Sequence, residues 1–315
     1  MTRATYGRRD VVKLMASASA IGASGAGGLW PAAAEAAAPA YDPAGKFEVD
    51  IRETEFRRNS AGRMLMARLY QPRGKGPFPA VIDLHGGAWN NKDRTAEAPM
   101  DRALAASGLL VVAIDMTLAP EAPYPACVQD ANYAVRWVKA NAAKWNGNAG
   151  KLGIYGSSSG GHVAELLAMR PHDPRYNAIP LPGDARVAWI ATRSPISDTF
   201  ARYENAERLH RDGMIKANKT FFNPWETIHE SNPREIIERK EKITKVPFLI
   251  MQGGLDDNML PAAQENFVKL YQAAGGKCEF HLFEHSVHEW VAEEGPETDK
   301  ARATVKAFIA RQLKG

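Results

Sequence analysis

Gly156-Ser157-Ser158-Ser159-Gly160 sets three hydroxyls between two glycines. Only Ser158 has glycine both two residues before it and two after; Ser157 has Tyr155 behind it, and Ser159 has Ser157. The motif follows the apolar run Lys151–Tyr155 and opens a helical stretch, which is the context a G-x-S-x-G nucleophile turn requires. Such a turn is so tight that small residues must flank the serine, and the helix that follows favours negative charge developing at its N-terminus. A second glycine-rich stretch, His85-Gly86-Gly87-Ala88-Trp89, follows the apolar run Ala80–Leu84. Glycines there let backbone N–H groups come close to an oxyanion formed during acyl transfer. The Gly87 and Ala88 N–H groups, with that of Ser159, are the candidate donors. The chemistry these parts suit is attack of an activated hydroxyl on a carbonyl.

The elements that must hold these parts are readable in the spacing of apolar residues. Phe47–Arg57 and Arg63–Tyr70 flank the turn Asn59-Ser60-Ala61-Gly62 and suit an antiparallel hairpin. Six further strand-like runs follow: Ala80–Leu84, Leu109–Ile114, Leu152–Tyr155, Val187–Ala191, Phe248–Met251 and Glu279–Phe283. Most are near-continuous apolar stretches, as parallel central strands are. Helical stretches lie between and after them, at Arg94–Ala106, Cys127–Lys144, Gly160–Met169, Ala262–Ala273 and Glu297–Gln312. The alternation predicts an α/β fold with a mostly parallel eight-stranded sheet flanked by helices. Residues 199–245, charged and broken by Pro224 and Pro233, read as a small cap-like insertion over the sheet edge.

Three successive signatures resemble the α/β-hydrolase superfamily, near its hormone-sensitive-lipase-like and bacterial feruloyl-esterase-like branches: His85 to Trp89, Asp115-Met116-Thr117-Leu118-Ala119-Pro120-Glu121, and Gly156 to His162. The resemblance covers about residues 46–315 and implies one α/β-hydrolase domain. Ala88 stands where a fourth-position glycine is usual and Thr117 where arginine is usual, which places the chain nearer the feruloyl-esterase-like branch than a typical lipase. The implied activity is serine ester hydrolysis through an acyl-enzyme, on small or aromatic esters, without cofactor or metal.

The order of reacting residues in that fold is serine, acid, histidine. The resemblance puts the acid three residues past Gly253, at Asp256, with adjacent Asp257 as the rival. Of eight histidines, His85 and His162 belong to the glycine-rich motifs, where they brace loops. His172, His210 and His229 precede the acid, and His281 lies within the last strand. His288 matches the family position of the base, with His285 as the alternative. Trp89 and Trp225 are candidates for a substrate pocket and equally for packing. Two other readings share the fold: a serine aminopeptidase-like enzyme, and a binding protein without chemistry.

The rest of the sequence bounds partners and compartment. The formal charge is +4; residues 1–38 hold Arg3, Arg8, Arg9 and Lys13 against Asp10 and Glu35, so the remainder carries +2. Charge that near balance argues against nucleic acid or an anionic membrane as main partner and leaves a small-molecule ester. Arg8-Arg9-Asp10-Val11-Val12-Lys13, a weakly apolar stretch and the small-residue run Ala32–Ala38 resemble a twin-arginine export signal, predicting a periplasmic or secreted protein. Beyond it no run is long enough to span a bilayer. Cys127 and Cys278 read as buried thiols.

Overall fold

The computed structural model describes residues 41–314. The proposed export signal at residues 1–38 lies outside the described residues. The chain opens with a hairpin of β1 (Val49–Arg58) and β2 (Met64–Pro72), then β3 (Phe78–Leu84), α1 (Ala98–Ala106), β4 (Leu110–Ile114), α2 (Ala126–Asn141), β5 (Gly147–Ser157) and α3 (Ser159–Met169). After β6 (Ile190–Arg193) come four helices, α4 (Thr199–Arg208), α5 (Asp212–Phe221), α6 (Thr227–Glu230) and α7 (Pro233–Glu238). The fold closes with β7 (Phe248–Gly253), α8 (Pro261–Ala273), β8 (Cys278–Phe283) and α9 (Pro296–Lys314).

The eight strands form one sheet in the order β1-β2-β4-β3-β5-β6-β7-β8. β2 pairs antiparallel with β1 and with β4, and every other neighbouring pair is parallel. Both faces of the central strands are buried, which is why their sequences are apolar throughout rather than alternating. Leu110, Val112 and Ile114 pack on one face with α2, α3 and α8, while Val111 and Ala113 pack on the other with α1 and α9. The result is three layers, helix on sheet on helix.

Two expectations shift. The first helix begins at Ala98 rather than Arg94, because Pro99 suits only the first turn of a helix. The strand expected over Val187–Ala191 runs instead over Ile190–Arg193, paired to β5 and β7. The segment 199–245 connects β6 and β7, the sixth and seventh strands in the order of the sheet. Cys127 and Cys278 are free thiols, the first buried and the second half-buried. Among the described residues, no helix is long and apolar enough to cross a membrane.

Candidate active site

Ser158 sits between β5 and α3 with φ 51° and ψ −118°, a conformation L residues rarely adopt. Strain of that kind costs on the order of 1–3 kcal/mol and persists only where surrounding structure enforces it. Here the Ser158 N–H donates to the Arg193 carbonyl at 2.9 Å, and the Ser158 carbonyl accepts the His162 N–H at 3.1 Å. The two flanking glycines leave no alternative. A Cβ on Gly156 would stand 2.8 Å from the Gly160 carbonyl oxygen, and one on Gly160 would stand 2.0 Å from that of Leu84.

His288 and Asp256 meet this serine. His288 Nε2 lies 2.8 Å from Ser158 Oγ, and His288 Nδ1 lies 2.8 Å from Asp256 Oδ2. Asp256 is buried and accepts three more hydrogen bonds, from Gln252 Nε2 and the N–H groups of Asn258 and Met259, each at 2.9 Å. Burial alone would raise its pKa; hydrogen bonding and charge from His288, with the Met259 N–H, outweigh it and hold the carboxyl below its ordinary value. For His288 the balance is reversed. Burial and the nearby cations Arg193 and Arg202 depress the imidazole, against the opposing pull of Asp256. The resting site therefore pairs a neutral imidazole with an ionised carboxylate, with Nδ1 donating to Asp256 and Nε2 free to accept from Ser158.

The two rivals fall outside this constellation. Asp257 is exposed and pairs with Arg211, and His285 is exposed on the loop before His288. Gly253 and Gly254 allow the acid loop to press on that loop: a Cβ on either would lie 2.5 Å from a backbone oxygen, of Ser286 and Glu284 respectively.

The loop after β3 runs directly against the Ser158 turn. A Cβ on Gly86 would touch Ser158 Cβ at 3.3 Å, and the Trp89 N–H donates to Ser159 Oγ at 3.2 Å. Gly87 and Ala88 both have positive φ, 103° and 50°. Among the described residues, the Gly87, Ala88 and Ser159 N–H groups have no protein acceptor. The second signature braces this loop, since the Ala119 N–H donates to the Trp89 carbonyl at 2.8 Å and Thr117 is held by its N–H to Asp130 at 2.6 Å.

Trp89 faces inward. Its indole is buried, stacked on Phe221 with centroids 4.5 Å apart, and its Nε1 donates to His162 Nδ1 at 3.2 Å. His162 is in turn bonded through Nε2 to the Ser231 carbonyl at 2.9 Å, and burial pushes its pKa down to about 4. Trp225 is half-buried, edge-on to Tyr203, and lines a cavity of 450 Å³ with Phe200, Lys219, Phe222 and Asn223. Sequence reasoning missed Gln252 and Arg193, polar residues near the carboxyl ends of β7 and β6; the partner of Arg193, the His288 carbonyl, lies far along the chain. The described residues contain no group of three or more His, Cys, Asp or Glu side chains able to hold a metal.

Comparison with known proteins adds a family. The family model described as BD-FAE matches residues 68–271. Esterase LipI of Mycobacterium tuberculosis (strain ATCC 25618 / H37Rv) is 34% identical over 257 residues, covering 78% of this chain and 77% of that protein. Esterase LipC of the same organism is 27% identical over 209 residues, 62% of this chain, and the matched part is only 49% of LipC. The chain thus spans about half of that relative's length. In three dimensions it is similar to Esterase B from Lactobacillus Rhamnosis (HN001), with a TM-score of 0.72 at 19% identity over 85% of this chain and 87% of that one. At that identity the likeness speaks for the α/β-hydrolase fold.

Proposed function

The chain belongs to the BD-FAE family, and on that premise we propose that it is a serine carboxylic ester hydrolase with Ser158 as nucleophile, His288 as base and Asp256 as the acid that orients the imidazole. The observation that carries the reading is the imidazole of His288 set 2.8 Å from both Ser158 Oγ and Asp256 Oδ2. His288 Nε2 takes the Ser158 proton as Oγ attacks the ester carbonyl, and Asp256 stabilises the imidazolium without being protonated itself. The oxyanion is received by the unengaged N–H groups of Gly87, Ala88 and Ser159, at the positive end of α3. The imidazolium then protonates the departing alcohol, and water repeats the sequence on the acyl-enzyme.

The acyl or alcohol part of the substrate is assigned by the same reading to the aromatic cavity at Trp225, which favours small or aromatic esters. The test is steady-state hydrolysis of p-nitrophenyl esters of increasing acyl length, beside methyl ferulate and an amino-acid anilide, by the chain and its Ser158→Ala variant. Ester turnover that disappears in Ser158→Ala is the expected result. A folded Ser158→Ala variant with wild-type turnover would refute it, and cleavage of the anilide alone would move the activity to peptide bonds.

A further inference from the structure

Arg193 ends β6 with its guanidinium buried, at 3% exposure, and belongs to neither the glycine-rich motifs nor the reacting triad. Its main-chain carbonyl receives the Ser158 N–H at 2.9 Å, while its Nη1 donates to the His288 carbonyl at 2.5 Å. One residue therefore holds the backbone of both members of the proton-transferring pair. Nη2 is fixed in turn by Glu97, at the start of α1, at 3.2 Å.

We propose that Arg193 is a positioning residue, a clamp through which the base loop is registered against the nucleophile turn, with Glu97 orienting the clamp. The proposal rests on the reading of Ser158 and His288 given above and goes on to say what fixes their separation. Apolar residues in place of a buried Arg–Glu pair are often neutral or stabilising, so stability alone is a weak reason for one here. The planar fork of arginine serves two acceptors in fixed directions, which a lysine ammonium does not reproduce. The next turn of the chain is bound to the acid strand, since the Ser194 N–H donates to the Met251 carbonyl at 2.8 Å. The carboxyl end of β6 is thus where nucleophile, base and acid segments are tied together.

The guanidinium also bears on charge. Facing His288 are Asp256 from the acid loop, Arg193 from β6, Arg202 from α4, and the neighbouring Glu289, which is paired to Lys92 of the β3 loop at 2.7 Å. Arg193 and Arg202 oppose the imidazolium and Asp256 favours it. Beneath them, burial and then the repulsion of neighbouring carboxylates push Asp83 and Asp101 well above the ordinary carboxylate range, so those two add little charge.

The experiment compares Arg193→Lys, Arg193→Met and Glu97→Gln with wild type and Ser158→Ala, measuring kcat, KM and the pH profile of kcat/KM on a short p-nitrophenyl ester, with thermal unfolding of each. A misplacement near 1 Å costs about a hundredfold in rate. Arg193→Met is expected to lose about that much kcat with KM changed less than about twofold. Its acid limb should move to higher pH, because a cation facing the imidazole is gone. Arg193→Lys keeps the charge and loses the fork, so kcat falls while the limb stays in place. Glu97→Gln should fall severalfold in kcat. Wild-type kcat in both Arg193→Lys and Glu97→Gln overturns the proposal, and these two decide it should Arg193→Met fail to fold. A Ser158→Ala variant that keeps turnover would instead strike the underlying assignment.

Discussion

Replacing Gly160 by alanine tests whether the nucleophile turn and the loop after β3 form one rigid unit. The added Cβ would lie 2.0 Å from the Leu84 carbonyl oxygen and 2.5 Å from that of His85. Ordinary contact begins near 3.4 Å, so about 1.4 Å of displacement is demanded, and the atoms in the way are backbone rather than the end of a flexible side chain. The displaced segment leads within three residues to Gly87 and Ala88, the proposed oxyanion donors. Overpacking of this kind costs roughly 1–3 kcal/mol of stability. Shifting a donor by about an ångström costs on the order of a hundredfold in kcat. The assay is the denaturant midpoint together with kcat on a short p-nitrophenyl ester, with Gly213→Ala as control. Gly213 lies in the first turn of α5 with nothing within 4 Å of an added Cβ. That change should leave kcat alone and raise stability by up to about 1 kcal/mol. A Gly160→Ala enzyme that is destabilised yet keeps kcat within about twofold would show that the loop moves independently of the turn, and the reasoning would fail.

Asp256→Asn should lower kcat by about ten-thousandfold, since an amide no longer holds the imidazole in the tautomer that accepts from serine. Asp257→Asn, which loses only an exposed pair with Arg211, should leave kcat unchanged and stability within about 0.5 kcal/mol; equal losses in the two variants would contradict the assignment. The base acts only when neutral, and burial lowers the His288 pKa, so the acid limb of kcat/KM should fall below the ordinary imidazole value of about 6.5. A limb above that value would mean that Asp256 dominates. His162 titrates near 4 in the fold and near 6.5 unfolded, so the unfolded chain takes up the proton first as pH falls through that window. Stability should therefore drop by up to about 3 kcal/mol between those values, and a His162→Gln variant, whatever its stability at neutral pH, should show a flatter slope there when unfolding is followed against pH.

The nucleophile turn was legible because strain writes itself into sequence: only residues without side chains fit at 156 and 160, and that requirement is visible with no fold in hand. Central strands were legible for a similar reason, since burial on both faces removes polar residues. Choosing Asp256 over Asp257 needed more than spacing. The two carboxylates differ only in which one turns inward to meet Gln252, the N–H groups of Asn258 and Met259, and His288, while the other finds Arg211, just before α5. Arg193 carries no such mark, because the apolar run before it ends at Ala191 and leaves the charged residue outside the strand that the sequence predicts. A buried arginine at the end of a strand has no local pattern; its reason is the His288 carbonyl, 95 residues further along the chain.

The cap-like segment shows the same limit and gives it a physical form. Its charged and aromatic composition suggested an insertion laid over the sheet edge, and two of its aromatic residues, Phe221 and Phe222, are turned inward. Phe221 stacks on Trp89, Phe222 meets the same indole edge-on at 5.2 Å, and Arg202 reaches over the ring at 5.3 Å. The Asn90 side chain donates to the Ala217 carbonyl at 3.0 Å, and His162 ties Trp89 to the Ser231 carbonyl. Every one of these contacts ends on the loop that carries Gly87 and Ala88 or on the helix that starts at Ser159. The insertion is therefore part of what holds the proposed oxyanion donors in place, because an aromatic cluster packed to native density transmits displacement rather than absorbing it. Substitutions at Phe221 should accordingly appear in kcat as well as in stability: Phe221→Ala removes a buried ring, which costs roughly 3–5 kcal/mol, and frees the indole that anchors the loop. Full kcat in a folded Phe221→Ala enzyme would show that Trp89 is held well enough by its remaining partners, Phe222, Arg202 and His162 among them.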